Sequence, residues 1–377
     1  MHASIRLGRI AGIPIGLHYT WFIIAALITV SLAAHFGQTS PGWSAPLIWG
    51  TAAFTALLFF ATLLAHELSH AMVALARGLP VRSITLFALG GVAQIEKDAS
   101  DARSEFLIAI AGPVTSVAIG VTCIGIARAL GWSVEGDSPS IAAAVLGWLG
   151  SINVLLAVFN LIPGYPLDGG RVLRAILWGL YGDGNRATRN AARVGQAVAG
   201  LFIAVGILQA FTGVGIGGLW LAFIGWFLLM AAQSSYAQAT MGEALRGVRV
   251  ADVMTPDCDT ADAHTTVKTL VDDIVLRTGR RCVMITSNGS VRGLVTPQDL
   301  RNLDRDRWSD VTLGEVMKPV DQLKSVTPGT PVAEALTKMA REDVNQLPVM
   351  EGGRLQGMIT RGQVLQLLQA RSELGLR

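Results

Sequence analysis

Charge is scarce in this sequence. Charged residues make up 15% of its 377 positions, where an average soluble protein carries about 25%. The formal balance is only +3, too small to argue for a nucleic-acid partner. Cysteine is scarcer still: Cys123, Cys258 and Cys282 lie far apart and no C-x-x-C occurs, which removes both a disulfide framework and a thiolate zinc site. A cleaved signal peptide is not expected, because the first apolar run is long enough to span a membrane and no small-residue cleavage site follows it. Hydrophobic residues stand in the place of charge, at 51% of the chain, and they are unevenly spread. Residues 1–240 hold nearly all the long apolar runs, whereas 241–377 intersperse charges as a soluble domain does.

A helix needs about 20 apolar residues to cross the hydrocarbon core. Six runs qualify: 15–36, 50–76, 104–130, 141–162, 194–212 and 218–238. Trp21, Trp43, Trp148, Trp178 and Trp220 fall near their ends, where aromatic belts sit. Cationic residues set an orientation. With the N-terminus cytoplasmic, the inner segments hold Arg6, Arg9, Arg77, Arg82, Lys97, Arg103, Arg171, Arg174, Arg186, Arg189 and Arg193. The outer loops 37–49, 131–140 and 213–217 hold no Lys or Arg, and Arg128 is the one exception near an outer end. Positive charge stays inside, so the N-terminus and residues 241–377 are expected in the cytoplasm. Residues 80–98 are too short and too alternating to span. Val81, Ile84, Leu86, Ala88 and Val92 around Gly90-Gly91 predict a small β-hairpin or edge strand at the interface.

Ionisable residues inside an apolar run are costly, at roughly 2.5–3.5 kcal/mol each at a helix centre, and usually functional. The second run carries three within five positions: His66, Glu67 and His70. Residues four apart share a helix face, so the two histidines can hold one zinc ion while Glu67 stands beside it as general base. The bland alternative is a polar trio satisfied by neighbouring helices. A catalytic zinc takes three protein ligands, and Asp168 is the candidate third, in N-L-I-P-G-Y-P-L-D-G-G-R from Asn160 to Arg171. Pro163 ends the fourth run, and Gly164, Gly169 and Gly170 allow the tight backbone that brings a short Asp to the metal. Against this stands a simple turn capping the next helix.

The two motifs together resemble the site-2 proteases. Supporting stretches cover most of residues 8–175: G-I-P-I-G-L-H-Y-T-W-F (Gly12 to Phe22), L-G-G-V-A (Leu89 to Ala93), A-G-P-V-T-S (Ala111 to Ser116) and Asn153. The resemblance implies an α-helical polytopic membrane domain in which His66, His70 and Asp168 hold one Zn2+ and Glu67 activates water. It also implies that Asn160 positions the substrate backbone or scissile carbonyl, and that the strand around Gly90 and Gly91 pairs with an unwound substrate. The substrate class would be single-pass transmembrane proteins, such as membrane-tethered signalling or anti-sigma-type proteins, cut in contact with membrane lipid. No PDZ-sized insertion is present.

The second half contains a repeat. V-A-D-V-M-T-P (Val250 to Pro256) parallels L-G-E-V-M-K-P (Leu313 to Pro319), and the stretch from Cys282 to Leu300 parallels that from Leu347 to Leu365. This resembles a soluble α/β tandem CBS pair, with modules at 250–309 and 312–372. Such pairs often bind adenine nucleotides, and Thr296 and Asp299 match the family's phosphate and ribose positions; in the second copy Thr360 is followed by Gln363. An architectural or homodimerising module remains the alternative. The function implied is regulated intramembrane proteolysis modulated by the CBS pair. A CBS-regulated transporter or channel is the rival, though no inverted repeat or charge-lined pore helix is visible. A serine protease of the membrane lacks its G-x-S-G.

Overall fold

The computed structural model describes residues 4–373 other than 89, 96–98, 134–139, 213–215, 257–259, 279–282, 288–289, 302 and 353. Leu89, Lys97, Cys258 and Cys282 therefore lie outside the described residues. The chain divides into two compact units, residues 1–239 and 240–377.

The first unit opens with a hairpin, β1 (Ile5–Ile10) and β2 (Ile13–Leu17), then α1 (Thr20–Thr39) and α2 (Ala45–Ala76). A second hairpin follows, β3 (Val81–Phe87) and β4 (Gly90–Ile95), then α3 (Ala102–Ala129), α4 (Ile141–Asn160), α5 (Asp168–Tyr181), α6 (Gly184–Phe211) and α7 (Ile216–Ala244). Among the described residues six helices are long and apolar enough to cross a membrane: α1, α2, α3, α4, α6 and α7. They are the six runs expected, so the unit is that of a multi-pass membrane protein.

Two local features depart from expectation. The first run was expected to begin at residue 15, yet Ile13 to Leu17 are a strand. Ile13, Ile15 and Leu17 alternate with Pro14 and Gly16, the period of a half-buried strand. Ala11 and Gly12, both at positive φ, form the two-residue turn that matches strand twist. The second departure is α5. It is a 14-residue helix with a left-handed Gly182 at its C-terminus, and it starts at Asp168 itself.

The expected hairpin at 80–98 is present as β3–β4, and it extends a four-stranded sheet in the order β1-β2-β3-β4. β2 runs parallel to β3, with Ile15 opposite Ile84, and the other pairs are antiparallel. Ile13, Ile15 and Ile84 are buried against Ala71 of α2, flanked by Leu64 and Leu68. Burying one sheet face on α2 fixes strand register, since a one-residue slip would turn these side chains to the other face. The sheet is thereby held on the helix that carries the histidines, with β4 as an edge.

The second unit is α/β. Strands β5 (Thr260–Asp262), β6 (Val283–Ser287), β7 (Ser290–Val295) and β8 (Lys318–Pro319) form one sheet, and β9 (Gln346–Glu351) pairs with β10 (Arg354–Thr360). Its two main cores exchange segments. Val250, from the first repeat's opening motif, is buried with Val332, Met339 and Ile359. Leu313, from the second repeat's motif, is buried with Val267, Val283 and Ile285. Each repeat thus completes the other.

Candidate active site

His66 and His70 lie one turn apart on α2 and are buried, at 2% and 5% exposure. Each ring is held from behind by α3. His70 Nδ1 lies 2.6 Å from the Ile108 carbonyl oxygen. A carbonyl only accepts, so Nδ1 carries the proton, which in the neutral ring leaves Nε2 free to act as a metal ligand. His66 Nδ1 is 2.9 Å from Ser116 Oγ. The two Nε2 atoms therefore face each other at 3.2 Å, and Asp168 Oδ2 lies 3.2 Å from both.

This triangle tests whether a metal fits. Two imidazole nitrogens and a carboxylate oxygen, all atoms that can ligate a metal, converge on one point. Tetrahedral zinc with bonds of about 2.0–2.1 Å requires ligand atoms about 3.3–3.4 Å apart. The observed edges fit, and the donor set of two nitrogens and one oxygen is one that catalytic zinc takes. His66, His70 and Asp168 form a candidate metal site.

Two glycines shape its walls. A Cβ on Gly112 of α3 would lie 2.2 Å from His70 Nε2 and 2.6 Å from His66 Nε2, so only a bare backbone fits beside the metal-facing nitrogens. A Cβ on Gly91 of β4 would lie 2.4 Å from Glu67 Cγ and 2.9 Å from Cδ. One position on from His66, Glu67 thus turns toward the edge strand, whose Val92 is exposed. The structure brings His66, Glu67, His70, Asp168 and Gly91 together, with Gly90 beside Gly91 on β4.

Asp168 arrives by a loop tied down at both ends. A Cβ on Gly169 would meet the Leu161 and Ile162 carbonyls at 2.3 and 2.4 Å, and one on Gly170 would meet Tyr165 N at 2.3 Å. Gly164 faces Gly195 of α6, where a Cβ would come within 2.7 Å of its Cα. These glycines serve close approach of backbone to backbone; none has positive φ. Asn160 ends α4 at the other end of the loop, half-buried, and among the described residues no hydrogen bond joins it to the ligand group. Asn153, about two turns earlier on the same helix, donates to Thr62 Oγ1 of α2 at 3.1 Å and to the Leu149 carbonyl at 2.8 Å.

Sequence reasoning missed a buried ion cluster beside the loop. Glu105 of α3 is 1% exposed; Arg171 Nε lies 3.1 Å and Arg174 Nη1 3.0 Å from its Oε1. Burial alone would lower the Arg171 guanidinium, but Glu105 more than offsets it and holds its pKa above the ordinary value. Burial pushes the neighbouring Tyr165 phenol up. The only sequence signal for this cluster was a carboxylate at the edge of an apolar run. Its partners, 66 and 69 positions on, could not be read from spacing.

In the second unit, Asp299 Oδ2 accepts from Thr296 N at 2.8 Å and Thr296 Oγ1 at 2.7 Å. The second copy repeats the ring with Gln363 Oε1, which accepts from Thr360 N at 2.8 Å and Oγ1 at 3.1 Å. The Gln363 amide then donates to Thr255 Oγ1, so the two copies present different chemistry at matched positions.

Comparison with known proteins gives consistent matches. Peptidase family M50 matches residues 54–133 and 133–204, and the CBS domain matches 250–306 and 313–370. A protein of Mycobacterium tuberculosis named as a zinc metalloprotease, Rip3, is 37% identical over 98% of this chain and 93% of its own length. The zinc metalloprotease MJ0392 of Methanocaldococcus jannaschii is 28% identical over 99% of both chains. A solved structure, the site-2 protease from Methanocaldococcus jannaschii, is 30% identical, covering 62% of this chain and 94% of its own, with a TM-score of 0.42.

Proposed function

The chain belongs to peptidase family M50, the site-2 zinc metalloproteases, and from that premise we propose that His66, His70 and Asp168 hold its zinc, Glu67 is its general base, and its substrates are single-pass transmembrane proteins. The observation that carries the ligand assignment is the triangle of potential ligand atoms with 3.2 Å edges. Zinc in such a site polarises a carbonyl and acidifies water.

The remaining chemistry belongs to the chain's own residues. Glu67 takes a proton from the attacking water and returns it to the leaving amine. Ile108 and Ser116 fix the imidazole orientations, which is what partners of metal-bound histidines do. A transmembrane helix must unwind before its backbone can be cut, and every freed N–H and C=O then needs a partner. The edge of β4 supplies them by strand addition, and the absence of a Cβ at Gly91 lets that strand lie directly on Glu67. Asn160, at the far end of the Asp168 loop, contacts the substrate backbone near the scissile carbonyl.

The site's depth follows from helix length. From Ala45 to His66 α2 rises about 32 Å at 1.5 Å per residue, roughly the hydrocarbon thickness. The catalytic end therefore opens on the face opposite the 37–49 loop. Cation distribution makes that face cytoplasmic, together with the N-terminus and the CBS pair. We assign residues 1–240 to the protease, and 250–309 and 312–372 to CBS modules that modulate it. Thr296 and Asp299 take an adenine nucleotide, and the pair is the surface for homodimer formation.

The test is Glu67→Gln. Membranes of cells carrying it should accumulate tethered fragments that wild-type cells clear, while the purified variant keeps its zinc. Normal clearance by the variant would remove Glu67 from the mechanism.

A further inference from the structure

One face of α3 borders both histidines and reaches the helix that carries Asp168. Residues 105, 108, 112 and 116 fall on a single helical stripe. Ile108 and Ser116 hold the two imidazoles, and Gly112 admits them. Glu105 engages Arg171 and Arg174, three and six residues beyond Asp168 on the first turns of α5. That helix has no side-chain cap at its N-terminus, and the Asp168 carboxylate is turned to the imidazoles. Backbone packing at Gly169 and Gly170 seats the start of that helix, and the Glu105 contacts tie its first turns to α3.

A carboxylate at 1% exposure is costly unless paired. Glu105 meets this with both guanidiniums, at 3.1 and 3.4 Å from Arg171 and 3.0 Å from Arg174. Removing its charge has a second effect. Arg171 lies one turn from Asp168 on the same helix face, and unpaired it would compete for the Asp168 carboxylate. Glu105 both anchors α5 to α3 and keeps that cation occupied.

We propose that Glu105 is a positioning residue for Asp168: through Arg171 and Arg174 it references the third zinc ligand to the helix that orients the other two. The inference rests on reading Asp168 as a zinc ligand. It adds a residue outside the H-E-x-x-H and L-D-G motifs, and a reason why an arginine follows L-D-G-G in this chain.

The experiment uses the full-length protein purified in detergent. Zinc affinity is measured by chelator competition, and the visible spectrum is recorded after cobalt substitution, for wild type, Glu105→Gln, Glu105→Asp and Asp168→Ala. Partners behind metal ligands typically change affinity by about 10–100-fold. Glu105→Gln should lose affinity in that range, and its cobalt spectrum should move toward that of Asp168→Ala. Glu105→Asp, which keeps the charge on a shorter side chain, should lose less affinity and shift the spectrum only part of the way. A folded Glu105→Gln variant with wild-type affinity and spectrum overturns the proposal. If that variant does not fold, Glu105→Asp decides: an intermediate loss with a partial spectral shift supports the proposal, and wild-type behaviour overturns it. Unchanged affinity in Asp168→Ala would instead refute the ligand assignment beneath it.

Discussion

Replacing Gly112 with alanine adds one carbon where the structure has no room for it. The new Cβ would lie 2.2 Å from His70 Nε2 and 2.6 Å from His66 Nε2, where carbon contacts relax at about 3.5–4.0 Å. The rings cannot simply swing aside, because each is tied behind, at 2.6 Å to Ile108 O and 2.9 Å to Ser116 Oγ. Breaking those bonds costs about 0.5–1.5 kcal/mol each, and overpacking adds about 1–3 kcal/mol. The total is about 2–6 kcal/mol, and at a factor of ten per 1.4 kcal/mol zinc affinity should fall at least about 30-fold. Gly125 lies on the same helix with nothing within 4 Å of its Cβ position. Its alanine variant should bind zinc as wild type does and be stabilised by up to about 1 kcal/mol. Chelator competition on both variants, with thermal unfolding as a folding control, is the assay. A Gly112→Ala protein with undiminished zinc affinity would refute the packing argument.

Further predictions concern other parts of the chain. Gly91→Ala should leave zinc in place yet reduce turnover about 100-fold, the scale of a misplacement of about 1 Å at a reacting group, because its Cβ would overlap Glu67 Cγ; a variant with normal turnover would detach β4 from the base. Glu67→Gln should separate the two readouts in the same way, with cleavage abolished and metal kept. Asp299→Ala should weaken binding of AMP, ADP or ATP by calorimetry more than Gln363→Ala does, because Gln363 spends its amide on Thr255. No binding of any of the three at millimolar concentration would leave the pair a dimerising or docking element.

What could be read from the sequence was what depends on local period and local cost. Hydropathy over about 20 residues locates the spans, because the bilayer sets their length. Spacing of four places His66 and His70 on one face, and the need for a third ligand points to Asp168. The sheet was half legible. Its hairpin at β3–β4 announced itself by alternation around Gly90-Gly91, while β1–β2 was masked because Ile13, Ile15 and Leu17 adjoin an apolar run and merge with it. The walls of the site were not legible at all. Gly112 and Gly91 matter because of side chains 42 and 24 positions away, and Glu105 because of arginines on α5. Such contacts are set by how α2, α3, β4 and α5 pack, which no window along the chain contains.

The most direct test of the central claim is metal analysis of the purified full-length protein. The account predicts close to one zinc per chain, falling sharply in each of His66→Ala, His70→Ala and Asp168→Ala while Glu67→Gln keeps it. Full zinc in all three ligand variants would contradict it.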